Sequence, residues 1–274
     1  MKPMLAKRYK DQKKNVTYPC LLQPKLNGIR ALYAMGRFQS RDQHLWNEGI
    51  LDHLEYILRD LSDRYVLDGE MYVHGMSLQK INGAVSVNRV EQSPLTSTIE
   101  YHVYDYIDRD EPHMEARQRM DQLPYVLAHI PRHGFVVPVK TITAYSEADA
   151  EKWYGTWMKQ RYEGMMYRQI DVPYGFEVEC GNKENRWVRL LKRKDWLDDW
   201  FVVDGMETGT GKFTEVIGSL TMTMPNGKTF SAGSGMSDGE RKMFLTNPPE
   251  KVHIKYEMLS DEGVPLKPTI IECK

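Results

Sequence analysis

Along this chain, short apolar runs of strand length alternate with a few stretches whose apolar residues recur at helical spacing. Tyr18 to Leu22 reads as a strand. Ala31 to Ala34 and Arg37 to Ser40 read as a hairpin about Met35-Gly36, which brings Arg41 near the end of that first strand. Leu51, Leu54, Ile57, Leu58 and Leu61 fall on one face of a helix. Further strands are predicted at 65–73, 99–107, 135–139, 163–168 and 187–194, and helices at 77–81, 113–129 and 146–160, with 82–98 a polar loop. In the 99–107 strand, a period of two puts Tyr101, Val103 and Asp105 on one face and His102, Tyr104 and Tyr106 on the other.

Beyond Asp195 to Trp200 the pattern becomes almost wholly β, at 201–206, 215–224, 228–232 and 251–259, around one short helix at 238–245. The change predicts an α+β chain with domains at 1–196 and 197–274, the second a small barrel of the OB type. With 274 residues, 41% of them apolar, the chain can bury two cores. A net charge of −1 advertises no partner, so any nucleic-acid contact must come from local clusters. Lys2, Lys7, Arg8, Lys10, Lys13 and Lys14 form one, which reads as a solvated, partly frayed terminus. Arg186, Arg189, Lys192, Arg193 and Lys194 form the other. Cys20, Cys180 and Cys273 lie far apart without a C-x-x-C pair, which points away from zinc and redox dithiols and toward a reducing, cytoplasmic setting. With neither a membrane-spanning apolar run nor a signal-peptide core, the expectation is a soluble monomer away from membranes.

Candidate chemistry centres on Gln23-Pro24-Lys25-Leu26-Asn27-Gly28-Ile29-Arg30. Alone, Lys25 reads as a solvated loop cation. As a nucleophile it would need to be held neutral, with Gly28 letting the backbone approach a bound group. Glu70 and Glu163 each stand beside a glycine in an apolar strand, where an acid is costly unless it meets a cation or a metal. Lys192 and Lys194 alternate and so share a face. Together these residues would make a nucleophile, a metal site and a phosphate clamp. Gly209-Thr210-Gly211-Lys212-Phe213-Thr214 looks like a P-loop, but Met206 and Phe213 stand where that motif needs glycine and Ser or Thr. It reads as a strand-connecting turn, with Lys212 free to touch a DNA phosphate.

The ordered set Lys25-Leu-Asn-Gly-Ile-Arg30, Ser40-Arg41, Asp68-Gly-Glu70, Val103-Tyr104-Asp105, Glu163-Gly-Met-Met and Leu191-Lys192-Arg-Lys194 resembles the motifs of covalent nucleotidyltransferases. Within that superfamily the chain is similar to minimal ATP-dependent DNA ligases of phages and some bacteria, over nearly its whole length. The resemblance implies an adenylation (nucleotidyltransferase) domain of antiparallel sheets with flanking helices, followed by a C-terminal OB-fold β-barrel, with ATP and Mg²⁺ as cofactors and nicked duplex DNA as partner. Lys25 would carry AMP as a phosphoramidate. Arg30 and Arg41 would contact ribose or phosphates, Glu70 the ribose or a metal, and Glu163 the metal. Tyr104 and Met166 would flank adenine, Gln23 and Leu26 would complete the nucleotide pocket, and Lys192 and Lys194 would grip the α-phosphate. Two positions depart from the family pattern. Asn27 replaces the usual Asp, and Lys267, in Val264-Pro265-Leu266-Lys267-Pro268, replaces an arginine, so it supplies a point charge without a bidentate fork. RNA ligases and capping guanylyltransferases share the lysine chemistry, and a non-catalytic nucleic-acid-binding relative is the reading that Asn27 keeps open. The resemblance also implies that the barrel swings about 195–200 and that nick binding weakens with salt.

Overall fold

The computed structural model describes residues 2–128, 130, 134–175 and 186–274, apart from the side chains of Arg186 and Lys212. Cys180 thus lies outside the described residues, and with it the side chains of Arg186 and Lys212. The chain divides into two compact units, Met1–Lys194 and Asp195–Lys274.

The first unit runs β1 (Leu5–Arg8), α1 (Tyr9–Gln12), β2 (Cys20–Lys25), β3 (Ile29–Ala34), β4 (Arg37–Ser40), α2 (Asp52–Leu58), β5 (Tyr65–Tyr72), α3 (Leu78–Val85), β6 (Glu100–Asp108), α4 (Ala116–Ala128), β7 (Val136–Pro138), β8 (Ile142–Ala144), α5 (Glu147–Lys159), β9 (Gly164–Gln169) and β10 (Arg186–Arg193). Two five-stranded sheets form, ordered β1-β10-β9-β2-β8 and β4-β3-β5-β6-β7. Pairing is antiparallel, as expected, except that β1 with β10 and β6 with β7 run parallel. Met4, just ahead of β1, and Ala6 and Leu190 from the first sheet pack against Leu32, Val66 and Ile107 from the second.

Strand β2 reads as a continuous apolar run because both of its faces are covered. Cys20 and Leu22 pack with Ala150, Tyr154 and Trp157 of α5, while Leu21 packs with Ala116 and Met120 of α4. Each leucine so buried stabilises the fold by about 1.5–3 kcal/mol. The β3–β4 turn falls at Met35 and Gly36, with φ of 50° and 75°. Such a left-handed pair matches the twist of a two-residue hairpin.

Four expectations are corrected. The basic N-terminus is not frayed: Leu5–Arg8 is a strand, and Met4 is buried to 1% exposure. The 77–81 helix runs on to Val85, because Ile81, Ala84 and Val85 bury one face and outweigh the poor helix propensity of Asn82-Gly83. Strand β8, three residues long, was hidden by its shortness; it pairs with Cys20, Leu21 and Leu22. In β6 the register slips by one residue opposite Asp68 and Gly69. This breaks the expected alternation, so Tyr106 joins Tyr101 and Val103 in the core and Asp105 makes ion pairs instead.

The second unit runs β11 (Leu197–Thr208), β12 (Ile217–Thr223), β13 (Thr229–Ala232), α6 (Asp238–Met243), β14 (Lys251–Tyr256) and β15 (Thr269–Cys273), the last of which the sequence pattern does not predict. Its sheet order is β13-β12-β11-β14-β15. Strand β11 pairs with β14 through its first half, from Leu197 to Val202, and with β12 from Val203 onward. At the far edges Ser234 bridges Thr269, and the Ile270 N–H donates to the Ser234 carbonyl at 2.8 Å. A sheet whose central strand serves two partners and whose edges meet is curled toward a barrel. Phe201, Leu220, Met222, Val252 and Ile254 fill it. The segment 209–214 is a turn with a short 3₁₀ piece joining β11 to β12, so it is no phosphate loop within a strand-to-helix unit. Residues 197–200 are laddered to β14, which leaves only Asp195 and Trp196 of the expected 195–200 hinge outside a strand. Among the described residues no helix is long and apolar enough to cross a membrane.

Candidate active site

Lys25 closes strand β2, opposite Gly164 of β9. The Leu26 side chain is buried in the core and anchors the turn that follows. A Cβ at Gly164 would strike the Arg193 carbonyl, so a glycine is needed for β9 and β10 to approach closely here. The Glu163 N–H donates to the Lys25 carbonyl at 3.0 Å, and the Glu163 carboxylate meets the Lys25 ammonium directly. Lys194 Nζ reaches the other carboxylate oxygen at 3.2 Å. Lys25 Nζ also lies 3.3 Å from the Leu26 carbonyl. One carboxylate therefore stands between two lysines.

In the second sheet, Arg30 of β3 is opposite Glu70 of β5. Glu70 Oε1 accepts the Gly28 N–H at 3.1 Å. A Cβ at Gly28 would run into the Met71 carbonyl and the Glu70 side chain, so the Lys25–Arg30 turn can close only with glycine there. Burial pushes the Glu70 carboxyl up to about 7, against the pull of Lys25, the Gly28 N–H and Arg30, while Glu163 adds to the rise. Those influences place Glu70, Lys25, Arg30 and Glu163 in one electrostatic neighbourhood. Arg30 grips Asp68 through Nε at 2.9 Å and Nη2 at 2.5 Å, and its guanidinium lies 5.5 Å from the centre of the Tyr104 ring.

The other predicted residues divide into two groups. Gln23 and Lys192 flank Met166 in adjacent ladders, so these three form a row beside the Lys25–Gly164 pair. The Gln23 carboxamide donates to the Tyr104 carbonyl at 2.8 Å and to Thr141 Oγ1 at 2.9 Å, tying one sheet to the other. Arg41, within the first unit, stands 3.7 Å from Asp42, and within the second unit Lys267 pairs with Glu257 at 3.0 Å. Pro24 and Leu26, the neighbours of Lys25, line a cavity of about 290 Å³ with His102, Trp153, Trp157 and Tyr162. Its walls are mostly apolar and aromatic, so phosphates are better served on the Lys25, Arg30 and Lys194 side.

Sequence reasoning assigned no role to Asp68 or Tyr174, nor to the buried trio Asp105, Arg119 and Arg168. Asp105 accepts from Arg119 at 2.8 and 3.1 Å and pairs with Arg168 at 2.5 Å. Burial works against its charge, but the two arginines hold its carboxyl below the usual range. Its position after Tyr104 in Val103-Tyr104-Asp105 was the available signal. Among the described residues no group of three or more His, Cys, Asp or Glu could hold a metal. Glu70 and Glu163 do offer two carboxylates in one neighbourhood, which suits a Mg²⁺ shared with phosphate oxygens better than an all-protein cage.

Comparison with known proteins shows the family and the fold. Residues 3–191 match the model of the ATP dependent DNA ligase domain, and residues 208–273 that of the DNA ligase OB-like domain. The DNA ligase of African swine fever virus isolate Tick/South Africa/Pretoriuskop is 25% identical over 223 residues, 77% of this chain and 50% of the viral protein. The enzyme of the Pig/Kenya isolate is 26% identical over 83% of this chain and 55% of its own length. The chain thus spans about half the length of the curated relatives it matches. Among solved structures, a Lig E DNA ligase superposes with a TM-score of 0.78 at 20% identity, covering 100% of this chain and 99% of its own. The Chlorella virus DNA ligase–adenylate gives 0.57 at 23% identity, covering 100% and 98%. These likenesses show a shared fold, and with 3–191 matched by the domain model the chain belongs to the ATP-dependent DNA ligase domain family.

Proposed function

We propose that this protein seals nicks in duplex DNA with ATP. The contact of Lys25 with Glu163, itself shared with Lys194, is the observation that carries the reading. Lys25 Nζ attacks the α-phosphorus of ATP; a nitrogen–phosphorus bond forms, the bond to the bridging oxygen breaks, and pyrophosphate leaves. The proton that Nζ must lose has an acceptor in place at Glu163, since the Asn27 carboxamide cannot take it up. Lys194 and Lys192 neutralise charge on the α-phosphate, and Arg30 and Tyr104 orient the nucleoside. AMP then passes from Lys25 to the 5′-phosphate of the nick, and attack by the 3′-hydroxyl seals the strand and releases AMP.

Glu70 and Glu163 would hold Mg²⁺, which would supply charge neutralisation for the leaving pyrophosphate. Each oxygen of Glu163 already meets a lysine, so metal binding and lysine pairing compete for the same carboxylate. Residues 1–196 act as the adenylation domain and 197–274 as the OB-fold domain that adds basic contacts to DNA, the whole working in the cytoplasm of a bacterium or of a host. Incubation with ATP labelled at the α-phosphate and Mg²⁺ should leave label covalently on the parent and none on Lys25→Ala. Equal labelling of both, or of neither, overturns the reading. Sealing of nicked DNA in preference to nicked RNA is the expected polymer choice.

A further inference from the structure

Arg30 is held by a carboxylate that is itself held from elsewhere. Asp68 Oδ1 accepts from Arg30 Nε at 2.9 Å, while Oδ2 accepts both Arg30 Nη2 at 2.5 Å and the Tyr174 hydroxyl at 2.6 Å. The Tyr174 oxygen in turn accepts the Met4 N–H at 3.1 Å and lies 3.5 Å from Arg30 Nη2. Tyr174 and Asp68 are each about 1% exposed, and 106 residues of chain separate them. Burial keeps the Tyr174 hydroxyl protonated far above neutral pH, so it is a constant donor. Tyr174 sits in the inter-sheet core with Met4, Leu32 and Leu190, and its ring lies 5.8 Å from the Arg119 guanidinium. The hydroxyl therefore has a fixed origin, whereas Arg30, with its side chain 17% exposed beside Tyr104, is the more open member of the chain.

We infer that Tyr174 is a positioning residue for nucleotide transfer, acting through Asp68 to set the guanidinium plane of Arg30. Arginine owes its selectivity for ribose and phosphate oxygens to the direction of a rigid fork, so a fork free to rotate on Asp68 would contact the nucleotide in fewer productive poses. The N-terminal segment takes part, since Met4 fixes the tyrosine oxygen and β1 fixes Met4. This rests on the nucleotidyl-transfer reading given above.

The test is a cycle of four proteins in single-turnover adenylation at saturating labelled ATP: parent, Tyr174→Phe, Arg30→Ala and the double variant. Tyr174→Phe keeps the buried ring and is expected to lower the adenylation rate constant about tenfold, the loss of one hydrogen bond to a charged group. Its melting temperature should stay within about 4 °C of the parent. In the Arg30→Ala background the same change should alter the rate less than twofold, which a loss of general packing would not reproduce. A Tyr174→Phe rate within twofold of the parent overturns the inference, and so does an undiminished tenfold loss in the Arg30→Ala background. Should Tyr174→Phe fail to fold, Asp68→Asn takes its place in the cycle, with the same rate changes expected and the same two results overturning the inference. If the parent itself takes no label, nucleotidyl transfer falls and this inference falls with it.

Discussion

Two clusters in the first unit have the same composition, one carboxylate between two cations, and opposite physical character. At Glu163 the partners are Lys25 and Lys194, with side chains 20%, 12% and 14% exposed for Lys25, Glu163 and Lys194. At Asp105 they are Arg119 and Arg168, and the three are sealed at 0%, 2% and 5%. Arg119 further donates to the Met114 and Val172 carbonyls, so the buried trio is woven into the backbone. Arginines with fixed forks and little access to solvent make a joint between β6, α4 and β9. Lysines with compact, mobile ammonium groups make a site whose contacts can be exchanged for a ligand's. Chemistry needs the second arrangement, because cations sealed from solvent cannot reach a phosphate.

The comparison can be broken most forcefully at Asp105. Asp105→Asn leaves two buried arginines short of a counter-charge and should cost about 3–5 kcal/mol in stability, read by urea unfolding. A loss under about 1 kcal/mol would make the trio no more structural than the surface pairs. Glu163→Gln should act the other way, lowering covalent labelling by about a hundredfold while unfolding shifts by less than about 1 kcal/mol. Comparable losses at both positions, in stability or in labelling, would erase the distinction between joint and site.

Glu70 sharpens it further through pH. Its carboxyl is raised to about 7 in the folded protein, above the unfolded carboxylate range, so the folded state holds the proton more tightly. Stability from this group is present at low pH and declines as pH rises through about 7, by up to about 3 kcal/mol. Glu70→Gln should flatten that decline. In the free parent, kcat/KM for ATP should climb as Glu70 ionises near pH 7, and the inflection should vanish in the variant. An unchanged inflection would assign it to another group.

Much of the site was legible along the chain because acids and lysines in short apolar strands are anomalies. Lys25, Glu70, Glu163 and Lys194 stood out for that reason and do meet in one neighbourhood. The Arg37–Ser40 strand was likewise readable, since the Met35-Gly36 turn defines its register. Strands β1 and β8 escaped notice because four and three residues carry too little periodicity to outweigh basic or turn-like composition. Tyr106 was misplaced because a register slip in β6 is set by pairing with β5 and leaves no mark in the local alternation.

By itself the sequence determined the kinds of groups present and their order: a lysine beside a glycine turn, two strand acids, a basic strand and a β-rich C-terminal part. Those follow from residue chemistry and short-range periodicity, which act over a few residues. Only the tertiary structure decided the partners. Lys25 meets Glu163 across 138 residues of chain, and Tyr174 meets Asp68 across 106. Such contacts are set by sheet order and by which faces the two sheets bury against each other, and no local pattern encodes the distance between residues so far apart in the chain.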